Sequence, residues 1–296
     1  MRALVIGGTG MVGREVVSRL VARGNEVVVM SHSGDARAPA GVQVVRGDLD
    51  DAASVWRAMR GVDRVFLLVA QSPNETEQGL TAVAAARDAG VARIVYASVR
   101  LPSFAANVPH FASKAVIEQA VRDSGIPFTI LRPNNFFQND VALTDVILRY
   151  GLYPQPIGSR GIARVDVRDI ADAAGIALTE SGHEGEIYEL NGPESLTGDD
   201  VAAAYGRALG QTVQYGDDDL EAWSAAVSQA LPPWLVHDLR LMFENFQRHG
   251  MPSTRHDDER LRRLLGRAPR SFDAFAAELV ALEQTVEQRT GLAAVS

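Results

Sequence analysis

Short apolar runs alternate with helical patterns along the first half of the chain. Each run is almost wholly apolar and is followed by a segment in which apolar residues recur every three or four positions. Strands that are apolar on both sides are typical of a parallel sheet covered by helices on both faces. The runs predict six strands, at 3–6, 27–30, 42–45, 65–69, 94–97 and 128–131.

Helical segments fill the gaps between these strands. Asp51 is a candidate N-cap, and a glycine follows the last periodic residue of each segment. The third helix is expected to carry Leu80, Val83 and Ala84 on one apolar face. Strand–helix alternation with short connections predicts right-handed βαβ units. The first two helices are recognised by their apolar residues, which are Val12, Val16 and Leu20 in one and Val55 and Met59 in the other. The third is predicted at 76–89 and the fourth at 114–124.

The alternation of strands and helices stops near Gly151. Loops are predicted at 153–156 and 158–161, followed by a helix at 167–178 and a late strand at 187–190. Thr197 is the candidate N-cap of a further helix, which ends at Leu209. The remainder is mostly helical in pattern, with one face carrying Leu235, Leu239, Met242, Phe243 and Phe246 and another carrying Phe272, Phe275, Leu279 and Leu282.

These elements predict an α/β fold of two domains. Residues 1–150, with the late strand near 187–190, form a Rossmann-like doubly wound parallel sheet. Residues 151–296 form a smaller, mostly helical C-terminal lobe for a substrate or partner.

Composition narrows the function classes. The chain has 296 residues, of which 46% are hydrophobic and 22% charged, so it is neither disordered nor collagen-like. The net charge of −8 argues against non-specific binding to nucleic acid or to an anionic membrane, although a local basic pocket remains compatible with it. The absence of cysteine excludes disulfides, thiolate metal sites and cysteine nucleophiles. With no signal peptide or membrane span predicted, we expect a cytoplasmic protein.

A glycine-rich turn lies between the first predicted strand and the first helix. Residues 7–13 fit G-x-x-G-x-x-G from Gly7 and G-x-G-x-x-G from Gly8. Glycines permit a tight turn and close approach to a pyrophosphate, which the helix N-terminus attracts. The strand–turn–helix context favours a dinucleotide site over a turn that binds nothing. Its predicted contacts are Gly7, Thr9, Gly10, Met11, Val12 and Gly13.

The end of the second strand bears on the choice of cofactor. An acidic residue there would bind the ribose 2′-hydroxyl of NAD, but this chain has Ser31, His32 and Ser33, with Arg37 shortly after. Hydroxyls and a cation suit a 2′-phosphate, so NADP is favoured and NAD stays the alternative. A polar turn without a ligand would have the same composition.

Further segments carry motifs across nearly the whole chain, at 3–13, 47–50, 91–98, 111–119, 124–133, 165–171 and 265–272. Together they resemble extended and atypical short-chain dehydrogenases/reductases, and in particular the NmrA-like branch and its quinone-reductase-like members. The resemblance implies that Asp48 and Leu49 meet the adenine ring and that Pro133 flanks the nicotinamide. Val69, Ala70 and Gln71 end the fourth strand at the edge where such sheets bind ligands.

The resemblance departs at the usual Tyr-x-x-x-Lys pair. Lys114 keeps the lysine position and is expected to hold the nicotinamide ribose, but His110 stands where the tyrosine would be. Spacing of four residues places both on one helix face. His110 is a candidate proton donor near neutral pH, and Ser98 a candidate hydrogen-bond donor to a substrate carbonyl. The alternative is that Lys114 only anchors the ribose and that His110 and Ser98 have structural roles.

Two function classes therefore stay open. The first is an NAD(P)H-dependent oxidoreductase that reduces a small carbonyl, enone or quinone; the second is a non-catalytic redox sensor whose affinity for a partner changes with the state of its cofactor. A sugar-nucleotide epimerase is a weaker third, because such enzymes use the tyrosine that is missing. No metal site is predicted, since the histidines show no shared spacing. A small-molecule substrate is expected, and a homodimer or protein partner is compatible with the sequence.

Overall fold

The computed structural model describes residues 1–34 and 38–290, with side chains as far as Thr285. The strands within it are β1 Arg2–Ile6, β2 Glu26–Ser31, β3 Gln43–Arg46, β4 Arg64–Leu67, β5 Arg93–Ala97, β6 Phe128–Pro133, β7 Leu152–Tyr153, β8 Glu186–Leu190 and β9 Gln214–Tyr215. The helices are α1 Met11–Ala22, α2 Ala52–Met59, α3 Glu75–Asp88, α4 Pro109–Asp123, α5 Thr144–Tyr150, α6 Val167–Thr179, α7 Gly198–Leu209, α8 Leu220–Val227, α9 Pro233–His249, α10 Arg255–Leu265 and α11 Phe272–Thr290. Two 3-10 helices span Ser103–Ala105 and Phe137–Leu143.

The main sheet confirms the predicted Rossmann-like α/β fold. It contains seven parallel strands in the order β3-β2-β1-β4-β5-β6-β8, so the six early strands and the late strand all belong to it. Strands β2 and β3 are added on one side of β1, and the chain then crosses to the other side of β1 to form β4. Ligands bind such sheets at this switch point, outside the carboxyl ends of the strands.

The chain divides into two compact units. One contains Met1–Pro133, Val167–Leu190 and Glu259–Arg267, and therefore holds the whole seven-stranded sheet. The other contains Asn134–Asp166, Asn191–Asp258 and Ala268–Ser296. The predicted division at residues 150/151 stays a prediction.

Helix α3 buries a different face from the one predicted. Leu80 is 40% exposed and Ala84 is also exposed, whereas Gly79 and Ala82 are buried with Val83. A methyl group on Gly79 would lie 2.4 Å from the Ile117 side chain, so α3 approaches α4 through its smallest residue. The expected face was wrong because close helix contact selected small residues rather than the largest apolar one.

Helix α4 begins five residues before the predicted start at Lys114. Pro109 takes its first position, where the missing N–H of proline costs no helical hydrogen bond. The extension includes His110, so His110 and Lys114 lie one turn apart in the same helix.

The second unit buries aromatic side chains around an ion pair. Phe137 packs edge-to-face on Phe272, with ring centroids 5.1 Å apart, and Arg164 and Asp140 are fully buried with an N–O distance of 2.8 Å. Thr197 caps α7, as predicted, in a capping box with Asp200. The predicted inner face of α11 is wrong at Leu282, which is 59% exposed.

Candidate functional site

The turn after β1 leaves no room for a side chain where Gly13 passes the Gly7 carbonyl. Gly7 has a φ of +80°, and a methyl group on Gly13 would lie 2.0 Å from the Gly7 carbonyl oxygen. The Gly10 amide donates to that same carbonyl across 3.0 Å, which closes the turn. The turn therefore brings its backbone to the start of α1 at a distance that only glycine permits.

The first turn of α1 suits an anion. Its N-cap is Gly10, which provides no side-chain cap, and no acidic residue lies in the first turn. The amides of Met11, Val12 and Gly13 lie in this turn, where helical geometry leaves N–H groups without an intrahelical acceptor. Thr9, Gly10 and Met11 are exposed, while Val12 and Gly13 are buried. These residues fit the pyrophosphate of a dinucleotide.

The segment after β4 lies against the glycine turn. A methyl group on Gly7 would be 3.0 Å from the Leu68 carbonyl oxygen. Beyond Leu68, Val69 is buried, Ala70 is exposed and Gln71 is half-buried. The predicted ligand segment at the end of β4 thus starts directly beside the predicted pyrophosphate site.

Lys114 reaches this same segment from α4. Its Nζ donates to the Val69 carbonyl across 3.3 Å and to Glu75 Oε1 across 2.5 Å. An ammonium has three N–H donors, and these two acceptors are its partners in the part of the chain that the structure describes. One N–H therefore remains for a ligand at the carboxyl edge of the sheet.

Glu75 is a site residue that the sequence analysis missed. It is the first residue of α3 and only 1% exposed, and Lys114 is 7% exposed. One signal in the sequence could have indicated Glu75. It is an acidic residue in the first turn of a helix, and that helix follows the carboxyl end of a strand. Its pairing with Lys114 spans 39 residues, so no local pattern indicated it.

His110 lies at the second position of α4, one turn before Lys114. The side chain is half-buried, and its ring packs edge-to-face on Phe111 with centroids 4.5 Å apart. Helical spacing of four residues places His110 and Lys114 on one face, which is compatible with a shared site.

Ser98 lies next to a buried charge network. Its side chain is 3% exposed, and its hydroxyl has no hydrogen-bond partner among the residues that the structure describes. Beside it, Arg132 binds Glu118 through two contacts of 2.8 and 2.7 Å. Burial raises the pKa of Glu118, but the hydrogen bonds and charge of Arg132, with the hydrogen bond from Arg122, outweigh it and lower that pKa overall. The proposed contact of Ser98 with a substrate carbonyl stays a prediction.

Pro133 ends β6 beside the segment that follows β5. The Ser98 amide donates to the Leu131 carbonyl across 2.8 Å, and the Arg100 amide donates to the Pro133 carbonyl across 3.0 Å. These bonds continue the sheet pairing beyond β5 and hold Pro133 at the carboxyl edge, where it is buried.

The predicted adenosine contacts lie at the ends of β2 and β3. Ser31 Oγ and Ser33 Oγ are 3.4 Å apart, and His32 Nε2 lies 3.1 Å from Asp48 Oδ2. Leu49 is half-buried next to Asp48. The Asp48 amide donates to Ser54 Oγ across 2.9 Å, which ties this turn to α2. The predicted Arg37 lies outside the described residues.

Arg46 is a second residue that the sequence analysis missed. It ends β3, is exposed, and is the direct sheet partner of Ser31. It therefore places a cationic residue opposite Ser31 in the sheet. Linear spacing gave no sign of it, since Arg46 and Ser31 meet only through the pairing of β2 with β3.

Two classes of feature are missing from the residues that the structure describes. No group of three or more histidine, aspartate or glutamate side chains there could hold a metal ion. Among the described helices, none is long and apolar enough to cross a membrane.

Comparison with curated proteins identifies reductases. A (4-alkanoyl-5-oxo-2,5-dihydrofuran-3-yl)methyl phosphate reductase of Streptomyces griseus is 36% identical over 287 residues, which cover 93% of this chain and 96% of that protein. An NAD(P)H azoreductase of Xenophilus azovorans is 32% identical over 246 residues, which cover 81% of this chain and 85% of the relative.

Comparison with solved structures identifies the same kind of protein. The NADPH-dependent quinone oxidoreductase QOR2 of Escherichia coli, crystallised with NADPH, superposes with a TM-score of 0.82 at 27% identity. The match covers 94% of this chain and 99% of that one. The NmrA-like family profile matches residues 1–286, and the chain belongs to this family.

Proposed function

We propose that the protein is an NAD(P)H-dependent oxidoreductase that reduces a small carbonyl, enone or quinone, with NADP(H) preferred. The observation that carries the proposal is the close contact between Gly13 and the Gly7 carbonyl in the turn after β1. This contact leaves the start of α1, which has no side-chain cap, open to a pyrophosphate. The reductase names of the relatives and the NADPH bound to the Escherichia coli structure support it.

The residues have separate tasks in this proposal. Amides of the α1 first turn bind the pyrophosphate, and the remaining N–H of Lys114 binds the nicotinamide ribose. When bound, the dihydronicotinamide supplies hydride to the substrate. His110 donates the proton that the reduced substrate needs, because an imidazolium side chain carries transferable N–H protons and histidine is the commonest general acid. Ser31, Ser33 and Arg46 bind the 2′-phosphate.

The test is NADPH oxidation with a panel of quinones, enones and aldehydes. We expect turnover with at least one class, and we expect His110→Phe to lower kcat by about 100-fold, the lower end for general acid catalysis. The exposed His237→Phe on α9 is the matched control and should keep full activity. Turnover that survives His110→Phe would assign the proton to water or to Lys114.

The choice of cofactor is tested separately. Replacing Ser31 and Ser33 by alanine, or Arg46 by methionine, should weaken NADP+ binding by about tenfold and NAD+ binding much less, since each loses a charged or polar partner of the 2′-phosphate. Calorimetric titration measures both. Equal losses for the two cofactors would refute the 2′-phosphate assignment.

One observation favours a second candidate, a non-catalytic sensor. His110 replaces the tyrosine of the usual pair, so the proton donor of related enzymes is missing. Tight NADPH binding without turnover, unchanged in His110→Ala, would favour the sensor. We also propose a cytoplasmic setting and a homodimer or protein partner, which these experiments do not test.

A further inference from the structure

The buried pair of Lys114 and Glu75 has a charge arrangement that binding alone does not require. Lys114 Nζ lies 2.5 Å from Glu75 Oε1, and neither side chain is more than a tenth exposed. A lysine that only donates a hydrogen bond to a ribose hydroxyl needs no buried carboxylate. Burial of an unpaired ammonium is strongly unfavourable, and an opposite charge in contact offsets that cost.

The carboxylate is itself held in place. Glu75 is the first residue of α3, where the positive end of the helix dipole stabilises an anion. The Asn74 N-cap has no side-chain cap bond, so the Glu75 carboxylate is the buried anionic group of this helix start. The ammonium is therefore fixed between a carboxylate and the Val69 carbonyl, in one orientation.

On the basis of the proposed function, we infer that Glu75 is a positioning residue for cofactor binding. Its carboxylate offsets the cost of burying the Lys114 ammonium and aims the remaining N–H of Lys114 at the nicotinamide ribose. Glu75 acts through Lys114 and touches neither substrate nor cofactor.

Other ionisable groups surround the pair. Tyr96 comes from β5, and burial, followed by the charges of Glu75 and Glu118, raises its pKa well above its ordinary value. It therefore stays neutral in the physiological range. On α4, His110 lies one turn before Lys114 and Glu118 one turn after it, and Glu118 is already bound by Arg132. Glu75 is thus the carboxylate in direct contact with Lys114 among the described residues.

The test compares NADP+ binding by the full chain in a double-mutant cycle. Glu75→Gln should lower affinity at pH 7 by at least tenfold in the parent and by no more than twofold when Lys114→Met is already present. Glu77→Gln, in the same first turn but exposed, is the matched control and should bind within twofold of the parent. Thermal unfolding checks that each variant is folded.

Rescue by a conservative variant separates positioning from a merely structural role. Glu75→Asp keeps the negative charge but shortens the side chain, so it displaces the Lys114 ammonium. It should fold like the parent and bind NADP+ at least threefold more weakly, and this loss should disappear when Lys114→Met is already present. If Glu75→Gln does not fold, Glu75→Asp carries the test.

The outcomes are distinguishable. Equal losses for Glu75→Gln in both backgrounds, or no loss in a folded Glu75→Gln or Glu75→Asp, overturn the role of Glu75 while leaving the proposed function intact. A parent protein that binds neither NADP+ nor NADPH overturns the proposed function and this inference together.

Discussion

Gly13 owes its identity to the close approach of the Gly7 and Gly8 backbone within the turn after β1. Any side chain there would start 2.0 Å from the Gly7 carbonyl oxygen, well inside van der Waals contact. The backbone must move to admit even a methyl group, and it would move away from the position that the pyrophosphate requires.

We therefore expect Gly13→Ala to weaken NADPH binding by at least tenfold and to lower Tm. Gly175→Ala on α6 is the control, because a methyl group there meets its nearest neighbour at 3.5 Å and alanine favours a helix by about 1 kcal/mol. Calorimetric titration and thermal unfolding measure both effects. Unchanged affinity in Gly13→Ala would contradict the pyrophosphate assignment.

Glu118 is the residue whose titration should be visible in stability. Its side chain is 3% exposed, and its pKa is lowered in the folded state because the hydrogen bonds from Arg132 and Arg122 and the charge of Arg132 outweigh burial. A lowered carboxyl pKa stabilises the fold above the unfolded-state value, near 4.3, and this stabilisation is lost as pH falls through the folded value.

Glu118→Gln should therefore lower the free energy of unfolding by about 3 kcal/mol at pH 7, because it removes the buried carboxylate that the half-buried Arg132 binds through two hydrogen bonds. The difference from the parent should shrink as pH falls below about 4. Asp145→Asn removes a pair that is mostly exposed and should cost less than about 0.5 kcal/mol. Urea unfolding at several pH values measures this; a difference that is constant with pH would refute the titration.

At the scale of elements, local signals set the starts of α2 and α7. Thr197 accepts a hydrogen bond from the Asp200 amide while the Asp200 carboxylate accepts one from the Thr197 amide, which satisfies two N–H groups at the start of α7. Asp51 does the same for α2 by accepting from Ala53 and Ser54. Both caps were predicted from the sequence, because a cap depends only on residues within one turn.

Replacing Thr197 by alanine should lower the free energy of unfolding by about 1 kcal/mol through loss of the cap. The exposed Thr285 on α11 bonds only a carbonyl of its own helix, so Thr285→Ala should leave stability within about 0.5 kcal/mol. Chemical denaturation resolves the two values. Equal effects would mean that the capping box contributes nothing.

Helix faces were harder to predict than helix starts. The pattern of α3 favoured Leu80 and Ala84, yet the buried side is built on Gly79, Ala82 and Val83. In an alanine-rich helix several faces are similarly apolar, and the packing partner decides among them. Ile117 of α4, which packs against Gly79, is such a partner.

At the scale of the whole molecule, the cofactor should act as a stabilising ligand. A ligand that binds only the folded state at about 100 times its Kd adds about 2.7 kcal/mol to the free energy of unfolding. We expect NADPH to raise Tm by about 5 °C and NADH to raise it less at equal concentration. Thermal unfolding with each cofactor measures the shifts, and Gly13→Ala should lose them. Identical shifts for NADH and NADPH would contradict the preference for NADP.

The sequence by itself determined the strands of the sheet, the glycine turn and its dinucleotide chemistry, and two helix caps. Each of these depends on residues within a few positions of one another, through periodicity, φ preference or a capping bond. Only the tertiary structure decided that Lys114 pairs with Glu75, that Arg46 lies beside Ser31 and that Ser98 faces Glu118. Those contacts join different strands and helices, so they exist only once the parallel sheet has brought its carboxyl ends to one edge.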